Sequence, residues 1–251
     1  MQNNLIDIFL PGIIQGLTEF LPISSSGHLV ILNKLLSKNT SDLNNEIILH
    51  LGTVFSILIY YKNDIISLIK NFFKGERLLF YLIIIGCLPI SIFGYLGQET
   101  IPTYFSNIKF LPYTFLVSGF FLFLTQYFKG SKNLTFKIVF IVGLFQVLAL
   151  FPGVSRSGIT ISSLLILGVN QKDSIRFSFL MAIPLILGSF FLKVEILDIS
   201  SVNIIGIIVS FLFGWLAIYL TNHLLQNKKY WLFSIYCFII SFTLFIWNSN
   251  L

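Results

Sequence analysis

The chain has 251 residues, of which 56% are hydrophobic and only 10% are charged. A soluble domain is typically about a quarter charged, and a chain this apolar could not hide so much hydrocarbon from water in a single core. The composition therefore excludes an ordinary soluble protein and predicts an integral membrane protein. The net charge of +6 comes from basic residues scattered between apolar segments, which is typical of membrane topology and does not indicate a nucleic-acid partner.

The N-terminus and the cysteines exclude two other interpretations. Residues 1–6 contain no Lys or Arg, so they lack the basic region of a cleaved signal peptide, and we expect the first apolar segment to be retained. Cys87 and Cys237 each lie inside an apolar run. This placement favours two buried, small hydrophobic side chains over a disulfide or a metal site.

Six uncharged apolar segments have about the length that crosses a bilayer. They are residues 47–61, 78–97, 111–128, 177–192, 202–222 and 230–247. Two further apolar regions, 5–36 and 138–170, are interrupted by short polar stretches. The first break is P-I-S-S-S-G at residues 22–27, and the second break is P-G-V-S-R-S-G at residues 152–158.

The two breaks are related by an internal repeat. A shift of 131 positions superimposes seven identical residues, which are Gly12 on Gly143, Gln15 on Gln146, Leu17 on Leu148, Phe20 on Phe151, Ser24 on Ser155, Ser26 on Ser157 and Gly27 on Gly158. We therefore expect a single membrane domain, residues 1–251, built from two copies of one unit. The copies cover about 1–130 and 131–251, and each holds one interrupted segment followed by three spans.

The distribution of Lys and Arg predicts the topology. If each interrupted segment is a re-entrant helix-loop-helix, the loops at 62–77, 129–137, 170–176 and 223–229 share one side of the membrane. That side then holds eleven Lys and Arg, against four on the other, and is predicted to be cytoplasmic. Because three spans is an odd number, the second copy is inverted, which gives an all-α polytopic protein with about six transmembrane helices plus two re-entrant segments. The alternative, in which the broken segments cross fully, gives eight spans and parallel repeats.

Two charges lie where lipid would surround them. Of the 26 charged residues, only Glu19 and Arg156 are well inside the apolar regions, and a charge at mid-bilayer costs on the order of 3 kcal/mol. A structural ion pair between the two halves is one interpretation, but it leaves the serines beside both residues unexplained. Irregular backbone at membrane depth must be buried in protein or line a polar cavity. We therefore expect the two breaks to face each other.

The second break has the composition of a phosphate site. The planar guanidinium of Arg156 can bind two phosphate oxygens at once. Ser155, Ser157 and the backbone amides near Gly158, at the start of a helix, add further donors.

The first break carries the groups that could move a proton. Gln15 and Glu19 are spaced i, i+4, so both project from one helix face toward the same cavity. His28 follows Gly27, where a helix would restart, and a histidine can titrate near neutral pH. The other two histidines are interpreted differently: His50 as a structural hydrogen-bonding residue and His223 as a solvated loop residue.

The stretch Q-G-L-T-E-F-L-P-I-S-S-S-G-H at residues 15–28, together with P-G-V-S-R-S-G at 152–158, resembles the undecaprenyl-diphosphate phosphatase family, also called the bacitracin-resistance proteins. The first stretch matches the family's (E/Q)-x-x-x-E signature and its Pro-x-Ser-Ser-x-Gly-His continuation, and the second matches Pro-Gly-x-Ser-Arg-Ser-Gly. Segments starting at His50 and Arg176 also look like family segments. The resemblance runs in ordered blocks from about residue 12 to residue 184.

This resemblance implies hydrolysis of undecaprenyl diphosphate to the monophosphate and inorganic phosphate, which recycles the lipid carrier of cell-wall synthesis at the bacterial inner membrane. On this hypothesis Ser25 attacks or orients the attacking water, His28 acts as base and later as acid, and Glu19 orients His28 or binds a divalent cation, Mg²⁺ or Ca²⁺. The predicted catalytic residues are Glu19, Ser25, His28 and Arg156. The predicted substrate-binding residues are Gln15, Ser24, Ser26, Gly27, Ser155, Ser157 and Gly158.

Several alternatives stay open at this point. Position 15 is Gln where many family members have Glu, so Glu19 is the only acid at the centre and the metal site loses a ligand. A histidine nucleophile, with Ser25 as a donor, is a second version of the mechanism. A transporter or flippase of a polyprenyl phosphate lipid fits inverted repeats with broken helices as well as an enzyme does. The oligomeric state, a homodimer included, is also open.

Overall fold

The computed structural model describes residues 6–36, 43–97, 100, 108–128, 130–193, 201–227 and 229–249. Residues 1–5 and the loop residues Lys38, Lys129 and Lys228 lie outside these ranges. Within them the α-helices are α1 (Ile6–Phe20), α2 (Ser25–Leu35), α3 (Leu43–Tyr60), α4 (Lys62–Phe73), α5 (Leu78–Leu96), α6 (Leu111–Leu124), α7 (Phe136–Gln146), α8 (Arg156–Ile166), α9 (Gln171–Lys193), α10 (Ser201–Gln226) and α11 (Leu232–Ser249). Short 3₁₀ turns follow α6 at Thr125–Tyr127 and α7 at Val147–Leu150.

All six predicted spans are helical. Five helices of the described chain are long and apolar enough to cross a membrane, at Leu78–Leu96, Ile108–Tyr127, Gln171–Leu192, Ile204–Gln226 and Leu232–Ser249. The sixth predicted span, 47–61, is the shorter apolar helix Glu46–Tyr60 within α3. Large apolar side chains such as Phe120, Ile239 and Phe242 are more than half exposed on the outside of the helices, as lipid-facing residues are. The chain is an all-α polytopic membrane protein.

One predicted loop is a helix. Residues 62–77 contain α4, in which no residue is buried and the apolar Ile66, Ile69 and Phe73 are exposed. Lys62 and Lys70 lie in the same helix. A helix with exposed apolar and basic residues is typical of a segment that lies in the plane of the membrane interface. The charges that set this segment apart from the spans had concealed its helical period.

Each interrupted region is a pair of helices joined by irregular backbone. The first pair is α1 and α2, and the second is α7 and α8. By the helical rise of about 1.5 Å per residue, α1 with 15 residues and α2 with 11 residues are about 22 and 16 Å long. The hydrocarbon core of a bilayer is about 30 Å thick, so neither arm of the pair crosses it alone.

Helices that the repeat makes equivalent pack side by side in opposite directions. The C-terminal end of α3 lies beside the first half of α9, since Tyr61, the residue after α3, has its ring 6.0 Å from that of Phe179. Just beyond it, Asp64 of α4 pairs with Arg176 at 2.7 Å. Because the C-terminal end of α3 lies beside the N-terminal half of α9, the two helices run in opposite directions. Arg176, noted in the sequence as a family position, is thus an ion-pair partner.

The pair α6 and α11 has the same antiparallel arrangement. Asn248 donates to the carbonyl of Ile108 at 3.3 Å, whereas Gly119 lies against the ring of Phe238. Antiparallel packing of equivalent spans means that the two copies are inverted, which requires an odd number of crossings in each copy. The eight-span alternative with parallel repeats is therefore wrong, and each interrupted segment is re-entrant.

The first helix of each copy packs on the second full span of the other copy, α1 on α10 and α7 on α5. A Cβ added to Gly12 would lie 3.2 Å from the carbonyl oxygen of Gly206, and one added to Gly143 would lie 2.7 Å from that of Gly86. Such close approach at small residues stabilises helix pairs in lipid. The 131-residue shift superimposes Gly12 on Gly143. Both positions are glycine because each lets a neighbouring helix approach closely.

Candidate active site

The two breaks lie against each other, as the sequence predicts. Ser24 of the first break accepts a hydrogen bond from the amide of Gly27 at 3.3 Å and another from the amide of Gly153, in the second break, at 3.1 Å. A Cβ on Gly27 would lie 2.8 Å from the Cα of Gly153. The backbones of the two halves are therefore in direct contact.

Equivalent serines start the two helices that follow the breaks. Ser24 caps α2 by accepting from the amide of Gly27, and Ser155 caps α8 by accepting from the amide of Gly158 at 3.1 Å. Serine is a favoured N-cap because its hydroxyl satisfies an amide that has no partner within the helix. Among the described residues Ser24 is the only non-glycine with a positive φ, +69°, and strain of this kind tends to persist where function requires it.

Two hydroxyls of α6, those of Thr114 and Ser118, contact the second break, and neither belongs to the motifs in the sequence. Ser118 donates to the carbonyl of Gly153 at 3.1 Å and accepts from the amide of Ser155 at 2.9 Å. The φ of Gly153 is +94°, and a Cβ there would lie 2.0 Å from the hydroxyl of Thr114. The detectable signal was the i, i+4 spacing of Thr114 and Ser118 on one face of an apolar span.

Gly27→Ala is expected to destabilise the protein by about 1–3 kcal/mol, the usual cost of overpacking a close contact. The added methyl group would meet backbone at Gly153 and the ring of Phe115 at 2.8 Å, and backbone cannot move aside cheaply. Thermal unfolding of the purified protein in detergent measures the effect. Gly188→Ala is the matched control, because a Cβ added there meets no atom of the other described segments within 4 Å and alanine favours a helix over glycine. Equal stability of the two variants would show that the breaks are not tightly packed.

Glu19, at the end of α1, joins the two breaks. Its Oε1 accepts a hydrogen bond from Nη2 of Arg156 at 2.6 Å. Its Oε2 accepts one from the hydroxyl of Ser25 at 2.7 Å and one from the side-chain Nε2 of Gln15 at 3.1 Å. The hydroxyl of Ser157 donates to the backbone carbonyl of Glu19 at 3.1 Å. The side chain is 7% exposed, so these donors replace the water that an isolated carboxylate would need.

His28 has different partners. Its Nδ1 donates to the carbonyl of Ser24 at 2.7 Å, its Nε2 lies 2.7 Å from the hydroxyl of Tyr236, and its ring stacks on that of Tyr236. The structure does not bring Glu19 and His28 into contact, so the predicted orientation of His28 by Glu19 is absent. The general base closest to Ser25 is Glu19 itself. Nothing in the sequence pointed to Tyr236.

The remaining predicted residues lie around this centre with smaller roles. Ser26 is half-buried, and its hydroxyl is 3.4 Å from that of Ser24. The hydroxyls of Ser155 and Ser157 are 3.3 Å apart. Gly158 supplies the amide that Ser155 caps. These residues shape the two helix starts, where the helix dipole supplies positive potential.

A titratable side chain outside the two breaks, His50 on α3, also reaches Glu19. The Nε2 of His50 is 3.4 Å from Oε2 of Glu19, and its Nδ1 is 2.7 Å from the carbonyl oxygen of Glu46. The sequence interpretation of His50 as a structural hydrogen-bonding residue describes only the second contact. An ionisable residue within a span is a candidate functional residue by default, and that rule would have identified it.

The donor set around Glu19 does not fit a divalent cation held by the protein. No cluster of three or more His, Cys, Asp or Glu side chains exists in the described part of the chain. Both oxygens of Glu19 accept from N–H or O–H donors, and the guanidinium of Arg156 would repel a cation there. Gln15 Oε1 is buried without a hydrogen-bond partner, but one amide oxygen is far from the six oxygens that Mg²⁺ prefers.

Comparison with known proteins agrees with the sequence motifs. A family model described as "Bacitracin resistance protein BacA" matches residues 8–243. The undecaprenyl-diphosphatase of Thermosipho africanus is 39% identical over 240 residues, which cover 93% of this chain and 96% of that protein. The undecaprenyl-diphosphatase of Pelagibacter ubique is 37% identical over 257 residues, with 98% of each chain covered. The chain therefore belongs to the BacA family of bacitracin resistance proteins.

Proposed function

We propose that this chain hydrolyses undecaprenyl diphosphate to undecaprenyl phosphate and inorganic phosphate, the activity that the names of its relatives describe. The observation that carries the proposal is that Ser25 from one break and Arg156 from the other contact the same carboxylate, that of Glu19. These contacts support the roles of Ser25 as nucleophile, Glu19 as base and Arg156 as phosphate-binding cation.

In the first step the terminal phosphate binds to Arg156 and in the positive potential at the starts of α2 and α8. The Ser25 oxygen forms a bond to the terminal phosphorus as the bond from that phosphorus to the bridging oxygen breaks, and undecaprenyl phosphate leaves. The proton of Ser25 passes to Oε2 of Glu19, which lies 2.7 Å away, within the range for general-base catalysis. Arg156 neutralises the charge that develops on the phosphoryl oxygens.

In the second step water attacks the phosphoserine and breaks its bond to Ser25. Glu19 returns its proton to the Ser25 oxygen, and the two protons of the water stay with the released phosphate. Ser25 and Glu19 are then restored. His28, paired with Tyr236, remains a predicted catalytic residue whose place in these steps is not assigned.

We place the protein in the bacterial inner membrane as a multi-pass protein with its site opening to the outer face. The excess of Lys and Arg in the loops at 62–77, 129–137, 170–176 and 223–229 supports this orientation. A homodimer stays a prediction, for which light scattering in detergent is the measurement.

The rival function is transport of a polyprenyl phosphate lipid across the membrane, since inverted repeats and broken helices are common in transporters. Release of inorganic phosphate from undecaprenyl diphosphate by the purified protein in detergent separates the two functions, because a detergent micelle has no second side to which lipid could be moved. We expect stoichiometric phosphate and undecaprenyl phosphate. No release over a range of pH and of Mg²⁺ or Ca²⁺ concentration would contradict hydrolysis.

The dependence on Mg²⁺ or Ca²⁺ that the resemblance implies also stays a prediction. None of the steps assigned to this chain's residues uses a cation bound to Glu19, in keeping with the donors that surround that side chain. Phosphate release measured in EDTA, and again after addition of each cation, tests the requirement.

A further inference from the structure

Among the residues that the structure describes, His50 is the one ionisable group at Glu19 that the proposed steps do not use. It lies on α3, outside both breaks, and its side chain is 21% exposed. Its Nε2 faces Oε2 of Glu19, the same oxygen that accepts from Ser25. A group on this oxygen acts directly on the atom that takes the proton of Ser25.

The two contacts of His50 indicate that its ring is protonated at both nitrogens. The partner of Nδ1 is a backbone carbonyl oxygen, that of Glu46, which only accepts hydrogen bonds, so Nδ1 carries a proton. The partner of Nε2 is a carboxylate oxygen, which would repel a nitrogen lone pair, so Nε2 carries a proton as well. A ring protonated at both nitrogens is a cation.

Arg156 alone cannot fully neutralise both Glu19 and the phosphate of the substrate. In the free protein, its Nη2 is bonded to Glu19. When a diphosphate arrives, the guanidinium divides its donors between the phosphate and the carboxylate, and the negative phosphate comes close to Glu19. Like charges at such short range in a site of low dielectric constant oppose the ionised state of Glu19, which is the state that can take the proton of Ser25. A second cation that stays on Glu19 removes this conflict.

We propose, on the basis of the hydrolysis proposed above, that His50 is a positioning residue of the reaction. It keeps Glu19 charged and directed at Ser25 while Arg156 engages the phosphate. The hydrogen bond from Nδ1 to Glu46 is local to α3, one turn away, and aims the ring so that Nε2 faces Glu19. His50 thus adds a contact from α3 to a site whose other residues come from the two interrupted regions.

The test compares three variants in the phosphate-release assay in detergent. His50→Ala is expected to lower kcat by about 10- to 100-fold, the range for removal of a group that orients a functional side chain, with KM changed by less than about 3-fold because the phosphate is held by Arg156. His50→Lys, which restores a cation on a flexible chain, is expected to recover most of that loss. His223→Ala is the matched control, because His223 is exposed on α10 and pairs with Asn227.

Three results would overturn the proposal. The first is a kcat of His50→Ala equal to that of the wild type. The second is a loss that appears in KM alone, and the third is an activity of His50→Lys as low as that of His50→Ala although it unfolds at the temperature of the wild type. The last of these would mean that His50 serves packing and not charge. Failure of the hydrolysis proposal is distinct, since the wild-type protein would then release no phosphate.

Discussion

Arg156→Ala is expected to lower kcat/KM for phosphate release from undecaprenyl diphosphate by at least about 1000-fold, at the upper end of the loss for one preorganised charge-stabilising donor. Arg156 both binds the phosphate and neutralises Glu19 at 2.6 Å. Its removal also leaves a nearly buried carboxylate with one fewer cation, and breaking a buried pair costs about 3–5 kcal/mol. The assay should therefore be accompanied by thermal unfolding in detergent.

Arg156→Lys is the second variant at this position. It keeps a cation beside Glu19 and is therefore expected to fold even if Arg156→Ala does not. Lysine is a point charge that cannot make two parallel hydrogen bonds to a phosphate, so we expect a folded protein with about 100-fold lower activity. The matched control is Arg176→Lys, because Arg176 pairs with Asp64 at 2.7 Å but both side chains are about one-third exposed. An Arg156→Lys variant as active as this control would contradict the phosphate-binding role.

Ser25→Ala is expected to reduce phosphate release at least about 1000-fold, because it removes the attacking oxygen and loss of a nucleophile is among the largest single-residue effects on kcat. Stability should fall by only about 1 kcal/mol, the net worth of one hydrogen bond. A large loss of activity with little loss of stability distinguishes a nucleophile from a structural hydroxyl. Mass spectrometry of the wild-type protein, quenched during turnover, should find phosphate on Ser25.

Ser67→Ala is the control for this substitution. Ser67 is exposed on α4 and bonds only within its own helix, to the carbonyl of Asn63 at 2.7 Å, so we expect wild-type activity. Activity of Ser25→Ala within a few-fold of the wild type would exclude the serine nucleophile. It would favour the water or histidine versions of the mechanism.

Much of the fold follows from the sequence because lipid imposes simple rules. A span must be about 20 apolar residues long, which located the six spans. The 131-residue shift identified the repeat, and the odd number of spans in each copy predicted that the second copy is inverted. Cys87 and Cys237 are buried and free, as predicted. Helix α4 escaped prediction because an interfacial helix alternates apolar and basic residues and so resembles a charged loop.

The site was predictable where its residues lie in the breaks, and less so elsewhere. Gln15, Glu19, Ser25 and Arg156 meet as expected, because a charge in lipid must find its partner. The contacts of His28 with Tyr236 and of Glu19 with His50 were not predictable, since they depend on how α11 and α3 pack against the breaks. Glu19 and His28 were expected to contact each other. Instead, Glu19 contacts His50 of α3, and His28 contacts Tyr236 of α11.

The most direct test is the rate of phosphate release from undecaprenyl diphosphate, measured on the wild type, Ser25→Ala and Arg156→Lys purified in the same detergent. We expect the wild type to release phosphate and both variants, one from each break, to lose at least about 100-fold of its activity while they unfold at temperatures near that of the wild type. A wild-type protein that releases no phosphate, or a folded variant of either break that keeps full activity, would contradict a single hydrolytic site shared between the two halves.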